Sequence, residues 1–318
     1  MFRLFTVLAL FTALVYQSVS NNFNNFRSEC NKTYNNTSEL MYRRYIFEKN
    51  NLHITYHNNM NSSYKLKMNC FGDLSFNEFS EKVLMNPVKI KSLPNSTQYH
   101  NNFNSSIDWR SMGVVTNIKD QGQCGSCWAF SAVGSIEGQH ALHYNLTSLS
   151  EQNLVDCSYD FGNEGCDGGW PEAAMRYVKK NSGIDTEVNY PYTATDGSCG
   201  YNKTYSGANV TGTVNITQGN ITELIDAITH VGPISVAIDA EGDFQFYSSG
   251  IFESTECDPE SLDHAVLAVG YGISPNGKRY YIIKNSWGTS WGMDGYIYFS
   301  ADIPNMCGIA QAASYPLV

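Results

Sequence analysis

The sequence predicts an α+β protein in which helices come first along the chain and strands come later. Three observations indicate this class: helical periodicity near the N-terminus, a helix-leaning region from about residue 127 to 192, and β-rich runs from about residue 210 onward. Helices and strands that are segregated along a chain are typical of α+β proteins, and two such parts can leave a cleft between them.

The first 20 residues predict a cleaved secretory signal. Arg3 precedes an apolar run over residues 4–15, and small residues follow that run. A membrane anchor is the alternative, but the run is shorter than the about 20 residues that a spanning helix needs. No other stretch is apolar enough to cross a bilayer, so we expect a protein of the secretory pathway that does not insert in a membrane.

Two helices and a linker are predicted between the signal and residue 106. Residues 37–60 carry apolar side chains at helical intervals, and Ser38 is the predicted N-cap. The apolar positions are Leu40, Tyr45, Ile46, Leu52 and Ile54. Residues 67–79 predict a turn that leads into a short helix, and the polar, proline-bearing residues 86–106 predict an exposed linker that proteases can reach.

Beyond the linker, six runs of residues predict further elements. SCWAFSAVGSIEGQHALHY and PEAAMRYVKKNSG have helical character. PISVAID, HAVLAVGYG, RYYIIKNSWG and GYIYFSA read as strands separated by Gly, Pro and Asn. The order within this part is therefore helices first and strands second.

Charge is distributed unevenly along the chain. Residues 21–102 carry a net charge of about +4, whereas residues 103–318 carry about −15. This asymmetry suggests that the two parts attract each other, although drift in surface composition would give the same pattern. The basic residues do not cluster, so nucleic acid is not an expected partner.

Sequons for N-glycosylation are abundant. Together with a secretory signal they predict that some asparagines carry glycans. Their positions are Asn31, Asn35, Asn36, Asn61, Asn95, Asn104, Asn145, Asn202, Asn209, Asn215 and Asn220.

The cysteines of the acidic part raise a question about QGQCGSCWAF, residues 121–130. Seven cysteines follow residue 103, and in an oxidising compartment an odd number leaves one thiol unpaired. Cys124 and Cys127 could be half of a zinc site, a redox pair, or one structural and one reactive sulfur. Zinc needs about four ligands, and neither a second CxxC nor a histidine cluster completes a site, so no metal is expected. A redox pair needs a preceding βαβ pattern, which is missing here.

The third option, one structural and one reactive sulfur, agrees with the chemistry of thiolates. Cys127 lies where a predicted helix begins, and the free N–H groups and dipole at a helix N-terminus stabilise a thiolate. A base is also needed, and His264 starts an apolar strand in which an imidazole is otherwise out of place. Asn285 follows another predicted strand 21 residues later and could orient the imidazole.

These segments resemble the papain family of cysteine proteases, in particular its cathepsin L type. QGQCGSCWAF is similar to the nucleophile segment of the family, LDHAVLAVGYG to its histidine segment and NSWGTSWG to its asparagine segment, in the same order. The family's inhibitory propeptides carry an interspersed Glu-Arg-Phe-Asn-Ile-Asn helix, followed by a Gly-x-Asn-x-Phe-x-Asp motif. The matching positions are Glu39, Arg43, Phe47, Asn50, Ile54 and Asn58, then Asn69, Phe71 and Asp73, with Lys67 replacing the glycine.

The resemblance implies a papain-like fold of two lobes behind a helical prodomain. We expect a signal peptide over residues 1–20, an inhibitory propeptide over residues 21–102 and a mature peptidase over residues 103–318. The helical left lobe would span about 112–210, and the β-barrel-like right lobe about 211–318. No cofactor is expected.

The resemblance also implies catalytic roles. Cys127 would be the nucleophile, and His264 would be its general base and later the acid that protonates the leaving amine. Asn285 would hold the imidazole, and Trp287 would shield that hydrogen bond from water. Gln121 would donate its side-chain N–H to the developing oxyanion, with the backbone N–H of Cys127 as the second donor.

Substrate-binding positions follow from the same resemblance. They are Gly125, Gly169, Trp170, Pro171, Leu262, Ala265, Trp287 and Ala312. Gly169 would offer backbone hydrogen bonds, and Trp170 and Pro171 would wall the pocket for P2, the second residue before the scissile bond. The pocket positions are uncharged, so we expect apolar or aromatic residues at P2. Nothing resembles an occluding loop or an exclusion domain, which favours an endopeptidase.

The disulfides implied by the resemblance leave Cys127 as the free thiol. The expected pairs are Cys124–Cys166, Cys157–Cys199 and Cys257–Cys307. Cys30 and Cys70 lie in the pro-segment, where the family usually has no cysteine, and the sequence does not decide whether they pair.

The expected protein is thus a zymogen that works in the lysosome, in another acidic endosomal compartment or after secretion. Its expected partners are protein and peptide substrates, its own propeptide as an intramolecular inhibitor and cystatin-type inhibitors, and the enzyme is expected to be a monomer. Acid would weaken the attraction between the two parts, and the linker would be cut near Phe103. A catalytically silent binding protein and a disulfide-rich interaction domain are the alternatives, and the four intact catalytic positions argue against both.

Overall fold

The computed structural model describes residues 22–91, termed the N-terminal segment, and residues 106–318, termed the C-terminal segment. The predicted signal at residues 1–20 and the predicted boundary at residue 103 lie outside the described residues. Within the described part of the chain, no helix has both the length and the apolar character needed to span a bilayer.

The described residues form seven α-helices and thirteen β-strands, which are joined by turns and loops. The helices are α1 (22–29), α2 (Thr37–Asn59), α3 (Phe76–Val83), α4 (Cys127–Ala141), α5 (Glu151–Cys157), α6 (Pro171–Asn181) and α7 (Ile221–His230). The strands are β1 (Tyr64–Leu66), β2 (Val88–Lys89), β3 (Ile107–Asp108), β4 (Ile184–Asp185), β5 (Ser206–Ala208), β6 (Gly212–Asn215), β7 (Ile234–Ile238), β8 (Tyr247–Phe252), β9 (Ser261–Leu262), β10 (His264–Ile273), β11 (Arg279–Lys284), β12 (Tyr296–Ser300) and β13 (Ala313–Leu317). The α+β class and the predicted helices α2, α3, α4 and α6 are confirmed, as are the four predicted strands β7, β10, β11 and β12.

The main sheet joins the N-terminal segment to the C-terminal segment. Its strand order is β1-β8-β12-β11-β10-β7-β13-β6, and β3 pairs with β10. Strand β1 lies antiparallel to β8 at the edge of this sheet, and β2 forms a separate antiparallel pair with β9. The N-terminal segment is therefore attached at two places by backbone pairing, which requires no particular side chain.

Helix α4 belongs to one of the two largest hydrophobic cores of the described residues. One is built from β-strand residues together with α7 and part of the N-terminal segment, and the other from α4, α5 and α6. Small residues allow α4 to approach the sheet closely, because a side chain at Gly134 would collide with Leu267 and one at Gly138 with Pro233. The Ser131 hydroxyl also donates to the carbonyl of Val266 at 2.8 Å. The helix that carries Cys127 is thus fixed directly against β10.

Helix α7 lies inside the region that the sequence analysis treated as strand-rich, so that part of the prediction was wrong. Asn220 accepts a hydrogen bond from the amide of Glu223 and caps the helix, while Leu224, Ile225 and Ile228 are buried. An N-cap asparagine followed by apolar residues three and four apart is a helix signal, and it was overlooked among the surrounding β-rich runs.

Helix α2 begins two residues earlier than the predicted cap allows. The side chain of Asn36 accepts from the amide of Glu39 at 3.0 Å, so Asn36 is the N-cap and the prediction of Ser38 was wrong. Asparagine and serine cap helices about equally well, so residue type alone does not decide between them.

The predicted apolar positions of α2 do not share one face. Ile46 and Ile54 are buried against the rest of the N-terminal segment and the sheet, together with Phe47. Tyr45 and Leu52 are 62% and 71% exposed on the opposite side. Apolar residues therefore lie on both faces of this helix, and the periodicity alone did not identify which face is buried.

A disulfide joins Cys30 to Cys70 and settles the question that the sequence left open. It links the end of α1 to the loop after β1. That loop docks on the C-terminal segment, because the Asn69 side-chain amide donates to the carbonyl of Gln245 at 2.7 Å. The amide of Lys67 donates to the carbonyl of Phe246 at 2.8 Å in the same region. The disulfide thus holds the docking loop in place from within the N-terminal segment.

Replacing both cysteines, Cys30→Ser with Cys70→Ser, should destabilise the N-terminal segment by about 2–4 kcal/mol, because a bond that closes a loop of this size restricts the unfolded chain. Limited proteolysis should then cut the N-terminal segment faster than in the parent protein. Both proteins should carry Cys127→Ser, so that no unpaired thiol exchanges with the disulfides. Equal cutting rates would contradict a role for this bond in holding the docking loop.

Candidate active site

Cys127 is the first residue of α4 and is completely buried. It is the unpaired cysteine of the described residues. The other cysteines form disulfides, namely Cys30–Cys70, Cys124–Cys166, Cys157–Cys199 and Cys257–Cys307. The structure thus ties Cys124 into the fold and leaves its neighbour Cys127 as a thiol at a helix N-terminus, which is where a thiolate is stabilised.

His264 and Asn285 come together because β10 and β11 are antiparallel neighbours. The ring nitrogen Nε2 of His264 lies 2.8 Å from Oδ1 of Asn285. The amide N–H of Ser286 also donates to this Oδ1, at 2.8 Å, which identifies the atom as the oxygen. An amide oxygen only accepts, so Nε2 of His264 carries a hydrogen and Nδ1 of the neutral ring is the basic nitrogen.

Trp287 covers the hydrogen bond between His264 and Asn285. Its ring stacks on the imidazole with the centroids 4.5 Å apart and the planes inclined by 24°. Both His264 and Trp287 are buried. The stack keeps water away from the bond and limits the imidazole to one orientation.

The start of β10 lies directly against the thiol. The backbone N–H of Ala265 donates to Sγ of Cys127 at 3.3 Å, so the residue after His264 touches the sulfur. Nδ1 of His264 is buried and has no hydrogen-bond partner among the described residues. The basic nitrogen is therefore free to take a proton at the junction of α4 and β10.

Burial shifts the pKa values of the Cys127 thiol and the His264 imidazole in opposite directions. Burial raises the pKa of Cys127 to about 12, and the charge of Asp263 adds to the effect, against the N–H bond from Ala265. Burial also lowers the pKa of His264 to about 4, although the bond to Asn285 opposes this shift. Both shifts favour the uncharged forms of the thiol and the imidazole while the site is covered.

Gln121 is held so that its NH2 group points into the site. Its Oε1 accepts from the Ser286 hydroxyl at 2.6 Å and from the indole N–H of Trp287 at 3.2 Å. Its Nε2 donates to the carbonyl of Cys124 at 2.9 Å and to the carbonyl of Val83 at 2.7 Å. A main-chain carbonyl of the N-terminal segment thus occupies the donor that the sequence analysis assigned to the oxyanion.

Residues 83–86 of the N-terminal segment pass over the thiol. The amide of Met85 donates to the backbone carbonyl of Asp263 at 2.9 Å, and Met85 is buried. A Cβ atom at Gly125 would meet Met85 Cα at 3.4 Å, and one at Gly168 would meet Met85 Cβ at 3.1 Å. The two glycines therefore allow a peptide backbone to approach closely at this point.

Aromatic contacts attach the N-terminal segment to the same site. Phe71 and Phe79 meet Trp287 edge to face, with centroids at 5.7 Å and 5.2 Å. Phe244 of the C-terminal segment meets Trp287 in the same way at 5.5 Å. Each such pair adds about 0.5–1.5 kcal/mol beyond the area that it buries. The tryptophan over His264 is therefore also an anchor for the segment that covers the site.

Three of the predicted pocket residues line one cavity of about 250 Å³, namely Trp170, Pro171 and Ala312. Two others lie outside it. Leu262 is paired with β2 through Val88, and Ala265 is packed against Cys127. Gly169 is a packing glycine, because a Cβ there would lie 2.8 Å from the ring of Trp128.

Two residues that sequence reasoning missed belong to the site. The backbone carbonyl of Asp263 binds Met85, and burial raises the pKa of the Asp263 carboxyl to about 7. Its position directly before His264 was the available signal. The hydroxyl of Tyr192 donates to the carbonyl of Gln121 at 2.8 Å. Nothing in the local sequence connects Tyr192 with a loop that lies some 70 residues earlier.

Two family models match the chain. The model of the papain family cysteine protease matches residues 103–317. The model of the cathepsin propeptide inhibitor domain (I29) matches residues 23–79. The chain belongs to the papain family of cysteine proteases. Its N-terminal segment is therefore part of an inhibitory propeptide, and the C-terminal segment is the protease.

Similarity to other proteins of this family extends over nearly the whole chain. Digestive cysteine proteinase 2 of Homarus americanus is 47% identical over 95% of this chain and 96% of its own length. Procathepsin L of Rattus norvegicus is 45% identical over 99% and 98%. The structure of digestive procathepsin L 3 from the larval midgut of Tenebrio molitor is 42% identical, with a TM-score of 0.86 over 94% of this chain and 99% of that one. This chain is thus a cathepsin L-like cysteine endopeptidase made as a proenzyme, and the expected papain-like fold is confirmed.

Gln121→Ala should lower the kcat of the activated protease by about 100- to 1000-fold with little change in KM, because one donor to the developing oxyanion is lost. Steady-state kinetics on a peptide substrate measure this change. Gln123→Ala is the matched control, since Gln123 is an exposed residue of the same loop. A Gln121→Ala enzyme whose kcat stays within about threefold of the parent would rule out the assigned role.

Proposed function

We propose that the protease hydrolyses peptide bonds with Cys127 as nucleophile, His264 as proton carrier, Asn285 as the group that orients the imidazole and Gln121 as oxyanion donor. The hydrogen bond from His264 Nε2 to Asn285 Oδ1 carries this proposal, because it leaves Nδ1 as the basic atom of the ring, and the next residue, Ala265, contacts the thiol. The position of Val83 supports the role of Gln121, since a carbonyl oxygen already accepts from its Nε2.

Removal of the propeptide starts the chemistry. Water then reaches the cleft, the penalty on charged forms falls, and the proton of Cys127 moves to Nδ1 of His264. The thiolate attacks the carbonyl carbon of the substrate. Gln121 Nε2 and the backbone N–H of Cys127 stabilise the negative oxygen that results.

Two proton transfers complete the cycle. His264 gives its proton to the nitrogen of the leaving amine, the C–N bond breaks and an acyl-enzyme on Cys127 remains. A water molecule then loses a proton to His264 and attacks the acyl carbon. The C–S bond breaks, the carboxylic acid product leaves, and the thiolate with the imidazolium is restored. Asn285 keeps the ring oriented in both steps.

We infer a preference for apolar or aromatic side chains at P2. The cavity beside Trp170 and Pro171 is also lined by the apolar residues Ile216, Ala312 and Ala313. The polar residues of its lining are Glu172, Asn215, Gln311 and Ser314. Burying apolar surface there stabilises a bound side chain by about 25 cal/mol per Å². Residue 312 offers a basic side chain no acid, and the Glu172 carboxylate in the lining is already paired with Arg176 at 2.8 Å.

We further propose an acidic endosomal or lysosomal site of action, with secretion as the alternative. Two of the relatives named above are digestive proteases by name. We propose that cystatin-type inhibitors bind the open cleft and that the mature enzyme is a monomer. The boundaries of signal, propeptide, protease and lobes stay as the sequence analysis placed them, and the cut near Phe103 lies outside the described residues.

Glycosylation is proposed mainly at exposed sequons. Asn145, Asn202, Asn209 and Asn215 are exposed. Asn220 is a poorer candidate, because it caps α7 and its amide donates to Glu223 at 3.1 Å. Asn95 and Asn104 lie outside the described residues.

The carboxylate of Asp243 is proposed as a pH-dependent contact between protease and propeptide. It meets His53 Nε2 at 2.5 Å, His57 Nδ1 at 3.0 Å and the Tyr64 hydroxyl at 2.7 Å. Its bond raises the pKa of His53, to which the charge of Glu256 also contributes. Burial alone would raise the pKa of Asp243, but the bonds from His53 and Tyr64 outweigh burial and lower it.

The two shifts define the pH range in which this contact holds. The contribution of His53 is complete below the ordinary histidine pKa of about 6.5 and is lost as pH rises through the raised value. The contribution of Asp243 is complete above the ordinary aspartate pKa of about 3.9 and is lost as pH falls through the lowered value. The contact is therefore strongest from about pH 4 to 6.5, and stronger acid loosens the propeptide.

The activated wild-type protease should cleave Phe-Arg and Leu-Arg substrates faster than Arg-Arg substrates, and Cys127→Ser should have no activity. Ala312→Glu should raise the ratio of kcat/KM for Arg-Arg over Phe-Arg by about tenfold, because a carboxylate can then bind the guanidinium. Ala312→Gln is the uncharged control of equal size. Faster cleavage of Arg-Arg by the wild type would contradict the pocket assignment, and activity in Cys127→Ser would contradict the nucleophile.

His53→Ala should let the precursor mature at a higher pH than the wild type. Pure precursor is incubated from pH 3.5 to pH 7, and its disappearance is followed on gels. The rate should increase several-fold near pH 5, where the wild-type contact is intact, and the difference between the two proteins should shrink as the pH falls through the lowered pKa of Asp243. His230→Ala is the control, since His230 is an exposed histidine that pairs with Asp226 within one helix. Superimposable profiles for all three proteins would refute the role of this contact.

A further inference from the structure

The two oxyanion donors of the proposed mechanism come from the two ends of one loop. Gln121 supplies a side-chain N–H at the first position of residues 121–126, and Cys127 supplies a backbone N–H immediately after the last. One substrate oxygen must reach both donors. The reaction rate therefore depends on the distance between the two ends of this loop, because a displacement of about 1 Å can lower a rate 100-fold.

The disulfide of Cys124 holds the middle of this loop. Cys124 is bonded to Cys166, and the amide of Gly125 donates to the carbonyl of Cys166 at 2.8 Å. These contacts fix the loop to the region around Gly168, on one side of the cleft. They do not connect Gln121 with the residue before Cys127.

The hydroxyl of Tyr192 makes that connection. It donates to the backbone carbonyl of Gln121 at 2.8 Å and lies 2.6 Å from the hydroxyl of Ser126. Because a carbonyl only accepts, the hydrogen of Tyr192 points to Gln121, and the hydroxyl of Ser126 must donate to Tyr192. The result is a chain of two hydrogen bonds from the N-cap of α4 to the residue that carries the first oxyanion donor.

Tyr192 is itself held in place by two contacts. Its amide donates to a carboxylate oxygen of Glu187 at 3.0 Å. Its ring meets Phe130 of α4 edge to face, with the centroids 4.9 Å apart. Burial raises the pKa of the Tyr192 hydroxyl, so the group remains a donor throughout the acidic and neutral range.

We propose that Tyr192 is a positioning residue for catalysis, whose hydroxyl sets the distance between Gln121 and the backbone N–H of Cys127. The inference rests on the proposed function, because it assumes that these two groups bind the oxyanion. Tyr192 touches neither the thiol nor the site of the substrate carbonyl in this scheme. Its effect on kcat therefore passes through Gln121.

The test is a double-mutant cycle between Tyr192→Phe and Gln121→Ala in the activated protease. Tyr192→Phe keeps the ring and removes the hydroxyl, and it should lower kcat about tenfold with KM within about twofold. In the Gln121→Ala background the same substitution should leave kcat within about twofold, because the donor that it positions is already gone. The rate at which Cys127 reacts with a small thiol reagent should not change, since that reaction uses no oxyanion donor.

Tyr190→Phe is the matched control. Tyr190 lies two residues earlier, and its hydroxyl donates to Asp156 at 2.6 Å, away from the loop. This variant should keep the parent kcat. A general loss of folding would lower the melting temperature and the thiol reactivity of Tyr192→Phe, and that outcome would overturn the positioning role.

Two further outcomes separate this inference from the proposed function. Equal losses of kcat in both backgrounds would show that Tyr192 does not act through Gln121 and would overturn the inference while the proposed function stands. A Gln121→Ala enzyme with the parent kcat would overturn the oxyanion role itself, and the inference would fall with it.

Discussion

Burial of Cys127 and His264 beneath the propeptide is the constraint on which the zymogen depends. Without water, the pKa of the thiol rises and the pKa of the imidazole falls, so the proton stays on sulfur. The remaining geometry needs no distortion, because the bond from His264 to Asn285 and the stack of Trp287 are already formed. The propeptide thus blocks access to the site and removes water from it, while the hydrogen bond and the stack around the imidazole stay in place.

The propeptide binds at the proposed active site. The NH2 group of Gln121 and the backbone carbonyl of Asp263 form hydrogen bonds with propeptide residues, and Phe79 packs edge to face on Trp287. Backbone pairing and aromatic packing of this kind hardly depend on pH. The cluster at Asp243 does depend on pH, and so does the exposed ion pair between Lys89 and Asp258. A pH-independent grip on the cleft is therefore combined with titratable contacts at the periphery.

The position of α4 determines where the Cys127 thiol lies relative to β10. Its glycines and serines bring it against β10 and β7, which sets Cys127 beside Ala265 and close to the strand that begins with His264. Its N-cap is tied to Gln121 through the hydroxyl of Tyr192, and a disulfide holds the middle of the intervening loop to Cys166. The thiol therefore belongs to a helix, whereas the proposed oxyanion donor Gln121 belongs to a loop that has supports of its own.

The sequence by itself determined the class, several of the elements and the identity of the chemical groups. The motifs around Cys127, His264 and Asn285 and the odd number of cysteines were enough to predict a thiol enzyme, because such chemistry needs particular residue types in particular local settings. Local signals also determined α2, α3, α4 and α6. They failed for α7, where a helix signal stood among strands, and for the cap of α2, where Asn36 prevailed over Ser38.

Only the tertiary structure decided what long-range contacts control. It paired Cys30 with Cys70, placed Val83 on Gln121, joined His53 to Asp243 and brought Tyr192 to the catalytic loop. It also separated Leu262 and Ala265 from the cavity that Ala312 lines. The physical reason is common to all of these cases. The local sequence determines which side chains a segment presents. The partner of each side chain and its burial from water depend on segments that are distant in the chain.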